Sequence, residues 1–465
     1  MTRFSGGRVA GGRPEIVPAL AAAWRHTRAA RAELRAWQDA RLRRLVVHAY
    51  ESVPLYRRLF DLHRLHPRHI RGTADLELIP FTDKAEMRRQ GPAGLLARGH
   101  DPAALLSVRT SGSSGEPFTV RRTWLEDKLQ YLLRLRALRA FGVGHRDRVV
   151  AVGVASPPEA GDQKLVGRSL RAFGFHPRQL IDGLQEPAQI AAQLREARPD
   201  VLIGLPGMLD RLAAPELADV VREVRPRVVI VGGEVATPGM RLRIRETFAA
   251  PLYETYASHE CPLMAWECRH SGDLHTCDDG VLVEVLRDGQ AVDPGERGEV
   301  VVTNLHAYAM PFIRYRIGDL ATRGAPCGCG GPFSTIGEIQ GRMIDYFPVP
   351  DGRLLHPYEI VSRLVWGPRE WMKQYQLVQE RRDRVVLYAV ADEPPPAERL
   401  QEIERAVRPV LGPGVEFEMR LVARIPFEST GKLRPSRSLV HSEYDRVRFQ
   451  PVQPAADARR RILGA

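Results

Sequence analysis

The stretch from Arg109 to Pro117 is the first in the chain whose residue types could do chemistry. It runs Arg-Thr-Ser-Gly-Ser-Ser-Gly-Glu-Pro and follows the apolar segment Leu105–Val108. Small residues let backbone amides approach phosphate oxygens closely, and the hydroxyl groups add further donors. The stretch does not end in the Gly-Lys-Ser/Thr of a Walker loop. Its composition alone fits a phosphate-binding loop and a flexible surface loop equally well.

Several shorter motifs follow it along the chain. They are Gly232-Gly-Glu234, Tyr253-Glu-Thr-Tyr-Ala-Ser-His-Glu260, Tyr315-Arg-Ile-Gly-Asp319, Gly341-Arg342 with Asp345 behind it, and Ser429-Thr-Gly-Lys432. Each is weak alone, because an Asp after Gly is usually a turn residue and a Lys after Gly is usually solvated. Their order along the chain carries the information.

The cysteines form a second candidate site. All of them fall in one stretch of the chain: Cys261, Cys268, Cys277, Cys327 and Cys329. An odd, clustered set does not fit a secreted disulfide framework. Cys268-Arg-His270 and Cys327-Gly-Cys329 together offer thiolates and an imidazole, which suit a structural, tetrahedral Zn²⁺. His275, Cys261 and Cys277 are competing ligands, and unligated core thiols are the alternative to any metal.

The elements that must position these residues follow an α/β pattern. Apolar runs at Val149–Val154, Val201–Leu205 and Val228–Val231 alternate with helix-like stretches such as Ala188–Ala197, which predicts α/β layers. Alternating valines from Val281 to Val285 and at Val300 and Val302 predict antiparallel strands. The turn Asp293-Pro-Gly-Glu296 separates them.

The two ends of the chain differ from this middle. Residues 30–57 have a helical period, and Pro54 is expected to end the helix. The last third predicts a small α+β unit. Its strands are expected at Gln374–Val378, Val385–Val390 and Val415–Leu421, and a helix with Leu400, Ile403, Val407 and Leu411 on one face is expected to end at Gly412.

With its motifs in this order, the chain resembles the acyl-adenylate-forming (AMP-binding) superfamily and, within it, the phenylacetate–coenzyme A ligase family. The resemblance runs from about Leu34 to Arg437. It implies an α/β fold with a large N-terminal AMP-binding domain of mixed sheets layered with helices, residues 1–340, and a small mobile α+β lid domain, residues 341–465. Residues 14–100 would form a helical lead-in, and residues 261–332 the Cys-rich strand region.

The resemblance assigns the motifs to one nucleotide site. Adenine would lie against Gly233, Glu234 and the segment Tyr256, Ala257, Ser258 and His259, while Asp319 would bind the ribose hydroxyls. Glu260 would hold Mg²⁺, Arg342 would lie at an interdomain hinge near the nucleotide, and Lys432 would assist adenylation. The β- and γ-phosphates would be bound by Thr110, Ser111, Gly112, Ser113, Ser114 and Gly115. Similar Cys-rich knuckles in the family favour zinc.

Electrostatics supports these roles. Attack of a carboxylate on the α-phosphate of ATP brings two anions together, so the step needs Mg²⁺ and a protein cation. Glu260 can supply a hard oxygen ligand, and Lys432 can act as a point charge. A lysine on a mobile domain suits two half-reactions, because the domain can close for adenylation and then turn to admit a thiol.

The sequence departs from the family pattern at two places. Glu116 stands where many members of the superfamily carry Lys, which leaves Arg109, Arg121 or Arg122 to supply the cation. Ala257 and His259 stand at the usual Gly and Thr of the adenine motif. The hydroxyl of that Thr is expected to contact the acyl-adenylate phosphate. In this chain His259 or Ser258 would have to donate the hydrogen bond instead.

The expected activity is ATP- and Mg²⁺-dependent adenylation of a small carboxylic acid, followed by transfer to coenzyme A. The resemblance favours an aromatic acid. One alternative keeps the first step but passes the acyl group to an acyl carrier protein, an amine or a hydroxyl. A basic surface suits an acidic carrier protein as well as it suits coenzyme A. A non-catalytic nucleotide sensor is the alternative of another class.

Composition excludes other classes of partner. The chain has 465 residues and a formal net charge of +12, but its arginines are scattered, which argues against nucleic acid. It contains no apolar run long enough for a membrane helix and no signal-like N-terminus. With its clustered cysteines, it is expected in the cytoplasm. The oligomeric state stays open, with a homodimer among the alternatives.

Overall fold

The structure is a computed structural model. It describes residues 25–110, 118–153, 178–183, 185, 187–213, 215–233, 236, 238–342, 347–352, 354–355, 360, 372, 374–391, 393–425 and 436–440. Within these ranges, no helix combines the length and the apolar character that crossing a bilayer requires.

The helices of the described residues are α1 (Arg31–Ser52), α2 (Pro54–Leu62), α3 (Lys84–Leu95), α4 (Trp124–Ala140), α5 (Pro187–Ala197), α6 (Pro206–Leu212), α7 (Ala218–Arg222), α8 (Pro238–Phe248) and α9 (Ala397–Leu411).

The strands of the first half are β1 (Thr82–Asp83), β2 (Leu106–Thr110), β3 (Phe118–Arg122), β4 (Val149–Gly153), β5 (Arg178–Asp182), β6 (Val201–Gly204), β7 (Val228–Gly232), β8 (Leu252–Tyr256), β9 (Ala265–Glu267) and β10 (Leu274–Thr276). Those of the second half are β11 (Val281–Arg287), β12 (Gln290–Ala291), β13 (Arg297–Asn304), β14 (Tyr315–Arg323), β15 (Thr335–Arg342), β16 (Phe347–Pro348), β17 (Leu354–Leu355), β18 (Gln374–Arg381), β19 (Arg384–Val390), β20 (Glu416–Leu421) and β21 (Ser436–Ser438).

The described residues divide into two compact units. One contains those within residues 1–142 and 255–339, and the other contains those within 143–254 and 340–450. The division at residue 341 that the sequence suggests stays a prediction.

The first unit contains the neighbouring strands β12-β11-β13-β14-β15-β10-β9, in that order, with Thr255 and Tyr256 of β8 paired to β9. Strands β11 and β13 pair antiparallel with Val283 opposite Val302, so the predicted hairpin region is confirmed. The N-terminal helices belong to this unit. Pro54 separates α1 from α2 because proline cannot continue α1 but fits the first turn of α2.

Helix α4 begins at a capping box. The Thr123 hydroxyl accepts from the Glu126 amide, and the Glu126 carboxylate accepts from the Thr123 amide at 2.6 Å. Such reciprocal bonds satisfy amides that have no partner inside a helix. They fix where α4 starts, directly after β3.

The second unit contains a parallel sheet with strand order β7-β6-β4-β5. Strands β4, β6 and β7 are rich in Val and Ile and mostly buried, as expected for strands covered by helices. Residues of α5, α6 and α8 pack on it in one core that includes Leu194, Leu209 and Phe248. The alternation predicted from the sequence is confirmed here.

A smaller antiparallel and parallel sheet, β20-β19-β18-β21, follows in the C-terminal part. Helix α9 buries Ile403, Val407 and Leu411 against it, and Gly412, at φ 80°, ends the helix. Leu400, predicted on the buried face, is exposed instead in the first turn. The α/β fold class with an added α+β C-terminal part is confirmed.

Candidate active site

Residues from two of the predicted motifs meet in the first unit. Tyr256 is the last residue of β8, and Asp319 lies in β14. The Tyr256 hydroxyl donates to Asp319 Oδ2 at 2.7 Å, and both side chains are buried. An ionised carboxylate accepts up to about four hydrogen bonds. This contact therefore orients Asp319 but uses only one of its acceptor positions.

Glu260 is the second buried carboxylate of the site. Its Oε1 accepts from the Tyr315 hydroxyl at 3.3 Å, and its carbonyl accepts from Asn304 Nδ2 at 2.8 Å. Tyr315 and Asp319 lie on the same strand, β14. This strand therefore supplies both the hydroxyl that donates to Glu260 and the carboxylate of Asp319. Asn304, at the end of β13, was not identified from the sequence.

A tight turn links Tyr256 to Glu260. The Ser258 amide donates to the Cys261 carbonyl, and the Cys261 amide donates to Ser258 Oγ, both at 3.0 Å. Ser258 therefore closes this turn with its oxygen. Burial, and then the charge of Glu260, raise the pKa of the Cys261 thiol well above its usual range, so Cys261 is a neutral thiol here.

Arg122 is one of the arginines suggested in place of the missing loop lysine. It is buried, and its guanidinium donates to the His259 carbonyl at 3.1 Å. Arg122 ends β3, which pairs with β2 so that Thr110 lies opposite Phe118. The two ends of the predicted phosphate loop are therefore adjacent, on a hairpin that contacts the Tyr256–Glu260 segment.

Glu126 is a buried carboxylate that the motif analysis missed. Beyond its cap, Oε1 accepts from the amides of Tyr308 and Ala309 at 2.6 and 2.8 Å. These bonds fasten the start of α4 to the segment between β13 and β14. The capping pattern Thr123-x-x-Glu126 is visible in the sequence, but its second set of partners is not.

The cysteine cluster differs from the predicted ligand set by one residue. Donor atoms of Cys268, His275, Cys327 and Cys329 all lie within 4.8 Å of one another. His270 is outside this group and contributes its backbone amide, which donates to Cys268 Sγ at 3.4 Å. His275, one of the competing residues, therefore lies with the three thiols, while the His270 side chain, the histidine of the predicted set, is not part of this group.

Two distances in this cluster are compatible with a tetrahedral zinc site. Cys268 Sγ and Cys327 Sγ are 3.6 Å apart, and Cys329 Sγ and His275 Nε2 are 3.3 Å apart, close to the roughly 3.5 Å edges of a tetrahedral zinc site. Burial would raise the pKa of the Cys268 thiol, but the backbone amides of Ser271 and His270 donate to it and lower that pKa.

Cys277, the remaining competitor, belongs to another network. Its sulfur accepts from Arg136 at 3.0 Å, and Arg136 also pairs with the buried carboxylate of Asp279 at 2.6 and 2.7 Å. Burial raises the pKa of Cys277 to about 12, so it is a poor metal ligand.

The other predicted residues are only partly described. Thr110 ends β2, Arg342 ends β15, Ala257 lies between Tyr256 and Ser258, and Gly233 follows β7 at φ 82°, where glycine is favoured. Ser111, Gly112, Ser113, Ser114, Gly115, Glu234 and Lys432 lie outside the described residues.

Comparison with characterised proteins gives close relatives. Phenylacetate-coenzyme A ligase of Thermus thermophilus is 30% identical over 365 residues, which are 76% of this chain and 79% of the relative. The enzyme of the same name from Escherichia coli is 29% identical over 328 residues, 67% of this chain and 72% of the relative. A protein-family model described as the CapK C-terminal domain matches residues 350–436.

Solved structures share the fold. A 2-hydroxyisobutyryl-CoA ligase in the postadenylation state superposes with a TM-score of 0.72 at 21% identity, covering 98% of this chain and 99% of that one. A benzoate CoA ligase from Burkholderia xenovorans superposes with a TM-score of 0.52 at 18% identity, covering 73% of this chain and 69% of the other.

Proposed function

Because this chain belongs to the phenylacetate–coenzyme A ligase family, we propose that it is an AMP-forming acid–thiol ligase. The carboxylate of a small acid attacks the α-phosphate of ATP, forming an acyl-adenylate and releasing pyrophosphate. The thiol of coenzyme A then attacks the acyl carbon and releases AMP. The observation that carries the proposal is the meeting of Tyr256, Glu260, Tyr315 and Asp319, which come from separate motifs.

The buried carboxylates have distinct proposed roles. Asp319, oriented by the Tyr256 hydroxyl, accepts the ribose hydroxyls of ATP. Glu260, held by Tyr315, is the proposed oxygen ligand of Mg²⁺. Bound there, the ion would offset charge on the phosphates as the carboxylate attacks.

The remaining motif residues, several of which lie outside the described ranges, complete the proposal. Thr110 to Gly115 bind the terminal phosphates through amides and hydroxyls, and Gly233 with Glu234 borders the adenine. Lys432 stabilises the charge that develops at the α-phosphate, and Arg342 acts at the domain hinge. These assignments rest on the motif matches and on the charge balance of the reaction.

An aromatic acid is the proposed substrate on the strength of family membership, and coenzyme A is the proposed acceptor in the cytoplasm. An acyl carrier protein remains the alternative acceptor. We also assign a structural Zn²⁺ to Cys268, His275, Cys327 and Cys329, whose four donor atoms would complete a tetrahedral coordination.

The test is an acid panel assayed with and without coenzyme A. The ligase should release pyrophosphate on addition of a preferred acid and should make its thioester and AMP only when coenzyme A is present. Pyrophosphate release without thioester formation would favour another acceptor. ATP binding with no turnover of any acid would contradict the proposal and favour a nucleotide sensor.

A further inference from the structure

Arg314, directly before strand β14, has a backbone conformation that residues other than glycine rarely adopt. Its φ is 44°, in the left-handed region, and such a conformation persists only where surrounding contacts enforce it. Its amide donates to Thr303 Oγ1, and its carbonyl accepts from the Thr82 amide, both at 3.0 Å. The next residue is Tyr315, whose hydroxyl donates to Glu260. The strained position therefore lies immediately before a side chain of the candidate active site.

The Arg314 guanidinium is buried among partners of its own. It donates to the carbonyls of Ile79 and Glu77 at 2.9 and 3.2 Å, and it pairs with the Glu284 carboxylate at 3.1 Å. The side chain is 4% exposed, which leaves no surface for a substrate to contact. Any effect of Arg314 on the reaction must therefore pass through the structure that it holds.

Arg316, two residues further along, contacts the same aromatic ring as Arg314. The guanidinium carbons of the two arginines each lie 4.3 Å from the centre of the Phe81 ring, a distance at which a cation is attracted to a ring face. Arg316 Nε also lies 3.5 Å from Glu299 Oε2. Together with Glu284, this carboxylate offsets two positive charges that would otherwise repel each other. We call Phe81, Arg314 and Arg316 the arginine clamp.

The arginine clamp holds the chain on both sides of Tyr315. Neighbouring residues of a strand point to opposite faces, so Tyr315 is directed away from Phe81, and its hydroxyl reaches Glu260 Oε1. Tyr315 is buried and packs edge-on against Phe312, with ring centres 5.2 Å apart. A slip of the strand at Arg314 would therefore withdraw the Tyr315 hydroxyl from the Glu260 carboxylate.

The same clamp lies at the start of the irregular part of β14 that carries Asp319. Between β13 and β14, Val301 is opposite Arg316, but Glu299 is opposite Leu320. A step of two residues on β13 therefore corresponds to a step of four on β14, and Asp319 lies among the extra residues. Such bulges redirect side chains beside active sites. The ion pair between Arg316 and Glu299 joins the two strands across this bulge.

We propose that the arginine clamp is a positioning device for the metal ligand of the nucleotide site. It holds β14 in the register in which the Tyr315 hydroxyl fixes the Glu260 carboxylate. This inference rests on the proposed ligase function, in which Glu260 binds the Mg²⁺ that accompanies ATP. Arg314 is a positioning residue, because it acts on that carboxylate only through Tyr315.

The test measures the Kd of ATP by titration calorimetry in Mg²⁺ and in EDTA, with no acid present. The ratio of the two Kd values reports how much the metal adds to binding, and Mg²⁺ should tighten binding to the wild type. Arg314→Asn removes the guanidinium, while asparagine tolerates the left-handed backbone. It should reduce the effect of Mg²⁺ by up to about 10-fold, as does loss of a residue that orients a metal ligand.

Tyr315→Phe supplies a readout that a purely structural role would not move. If the clamp acts through the Tyr315 hydroxyl, Tyr315→Phe alone should reduce the effect of Mg²⁺ to a similar extent. Adding Arg314→Asn to it should then reduce that effect little further, because the two residues belong to one unit. Independent effects that multiply in the double variant would refute the positioning role.

Arg136→Asn is the matched control. Arg136 is also buried, pairs with the Asp279 carboxylate at 2.7 Å and lies 4.6 Å from the centre of the Phe333 ring. Its loss should lower thermal stability, as Arg314→Asn does, but leave the effect of Mg²⁺ unchanged. If Arg314→Asn does not fold, Phe81→Leu is compared with Phe333→Leu, since both keep every ion pair. Only Phe81→Leu should reduce the effect of Mg²⁺, by about 2-fold or more.

The outcomes separate the two proposals. If Mg²⁺ tightens ATP binding equally in the wild type, Arg314→Asn and Phe81→Leu, the role of the clamp is refuted. The ligase function, which pyrophosphate release tests, then stands. If the wild type binds no ATP and turns over no acid, the ligase function itself fails.

Discussion

His306 is a fully buried histidine among charged groups. Its side chain faces the carbonyl of Asp279, to which Nε2 lies at 2.9 Å, and it is 1% exposed. Burial, and then the positive charge of Arg41, lower its pKa to about 4. The folded protein therefore keeps this imidazole neutral at pH values where the unfolded chain would protonate it.

This difference predicts how stability responds to acid. Between its unfolded pKa of about 6.5 and its folded pKa, His306 binds a proton only in the unfolded state, so stability falls as the pH falls through that window. From pH 7 to pH 5 the loss from this residue should be about 2 kcal/mol. Urea unfolding of wild type and His306→Gln at both pH values measures it.

His306→Gln should lose less stability than the wild type over this range, by about that amount. The Asp279 carboxylate, whose pKa is lowered by Arg136 against the effect of burial, responds only at more acidic pH. Identical pH dependence in the two proteins would contradict a neutral His306.

The sequence predicted the motif residues better than the residues that hold them in place. Tyr256, Glu260 and Asp319 belong to ordered motifs with recognisable residue types. Asn304 does not, because an isolated amide acquires a role only from what the fold places beside it, here the Glu260 carbonyl.

At the scale of elements, helix α4 depends on Glu126. This carboxylate caps the helix and accepts the amides of Tyr308 and Ala309 while buried. Glu126→Ala removes the cap and leaves buried amides unpaired, which should lower the free energy of unfolding by about 2–4 kcal/mol.

Asp127→Ala is the control for Glu126→Ala, because Asp127 is in the same helical turn but only partly buried, with ion pairs to Lys128 and Arg122. It should cost about 1 kcal/mol or less. Chemical denaturation compares the two variants. Equal losses would contradict a stabilising role for the buried hydrogen bonds of Glu126.

The zinc assignment is a second prediction at this scale. Purified protein should contain about one equivalent of zinc, and His275→Ala should lower its retention while His270→Ala should not, because only the His275 imidazole joins the thiols. Metal analysis after mild chelation measures this. A zinc content at background level in the wild type would refute the site. Loss of zinc in His270→Ala but not in His275→Ala would refute the ligand set.

Strand pairing explains why His275, and not His270, lies beside the thiols. Cys268 follows β9 directly, and β9 pairs antiparallel with β10, with Trp266 opposite His275. That pairing brings His275 back beside Cys268 from across a turn. The sequence favoured His270 because it is close to Cys268 along the chain, and that spacing gives no information about the strand pairing. Regular strands such as β6 and β7 were predictable because their pattern is local.

At the scale of the whole molecule, the reaction separates into half-reactions with different charge demands. Adenylation brings a carboxylate to a polyanion, so it needs a cation at the α-phosphate. Thioester formation attacks an acyl carbon and releases AMP, with less charge to offset there. A residue serving only the first demand should be dispensable for the second.

Lys432 is the residue to which the first demand is assigned. Lys432→Ala should slow pyrophosphate release by about 10²-fold or more, while thioester formation from supplied acyl-adenylate and coenzyme A stays close to wild type. Arg424→Ala, which removes an exposed cation preceding the same motif, should leave both rates nearly unchanged. Rapid-quench assays of each half-reaction make the comparison.

Equal losses in both steps for Lys432→Ala would mean that the lysine supports folding or binding in general. A selective loss in the first step would tie it to the charge that only adenylation creates.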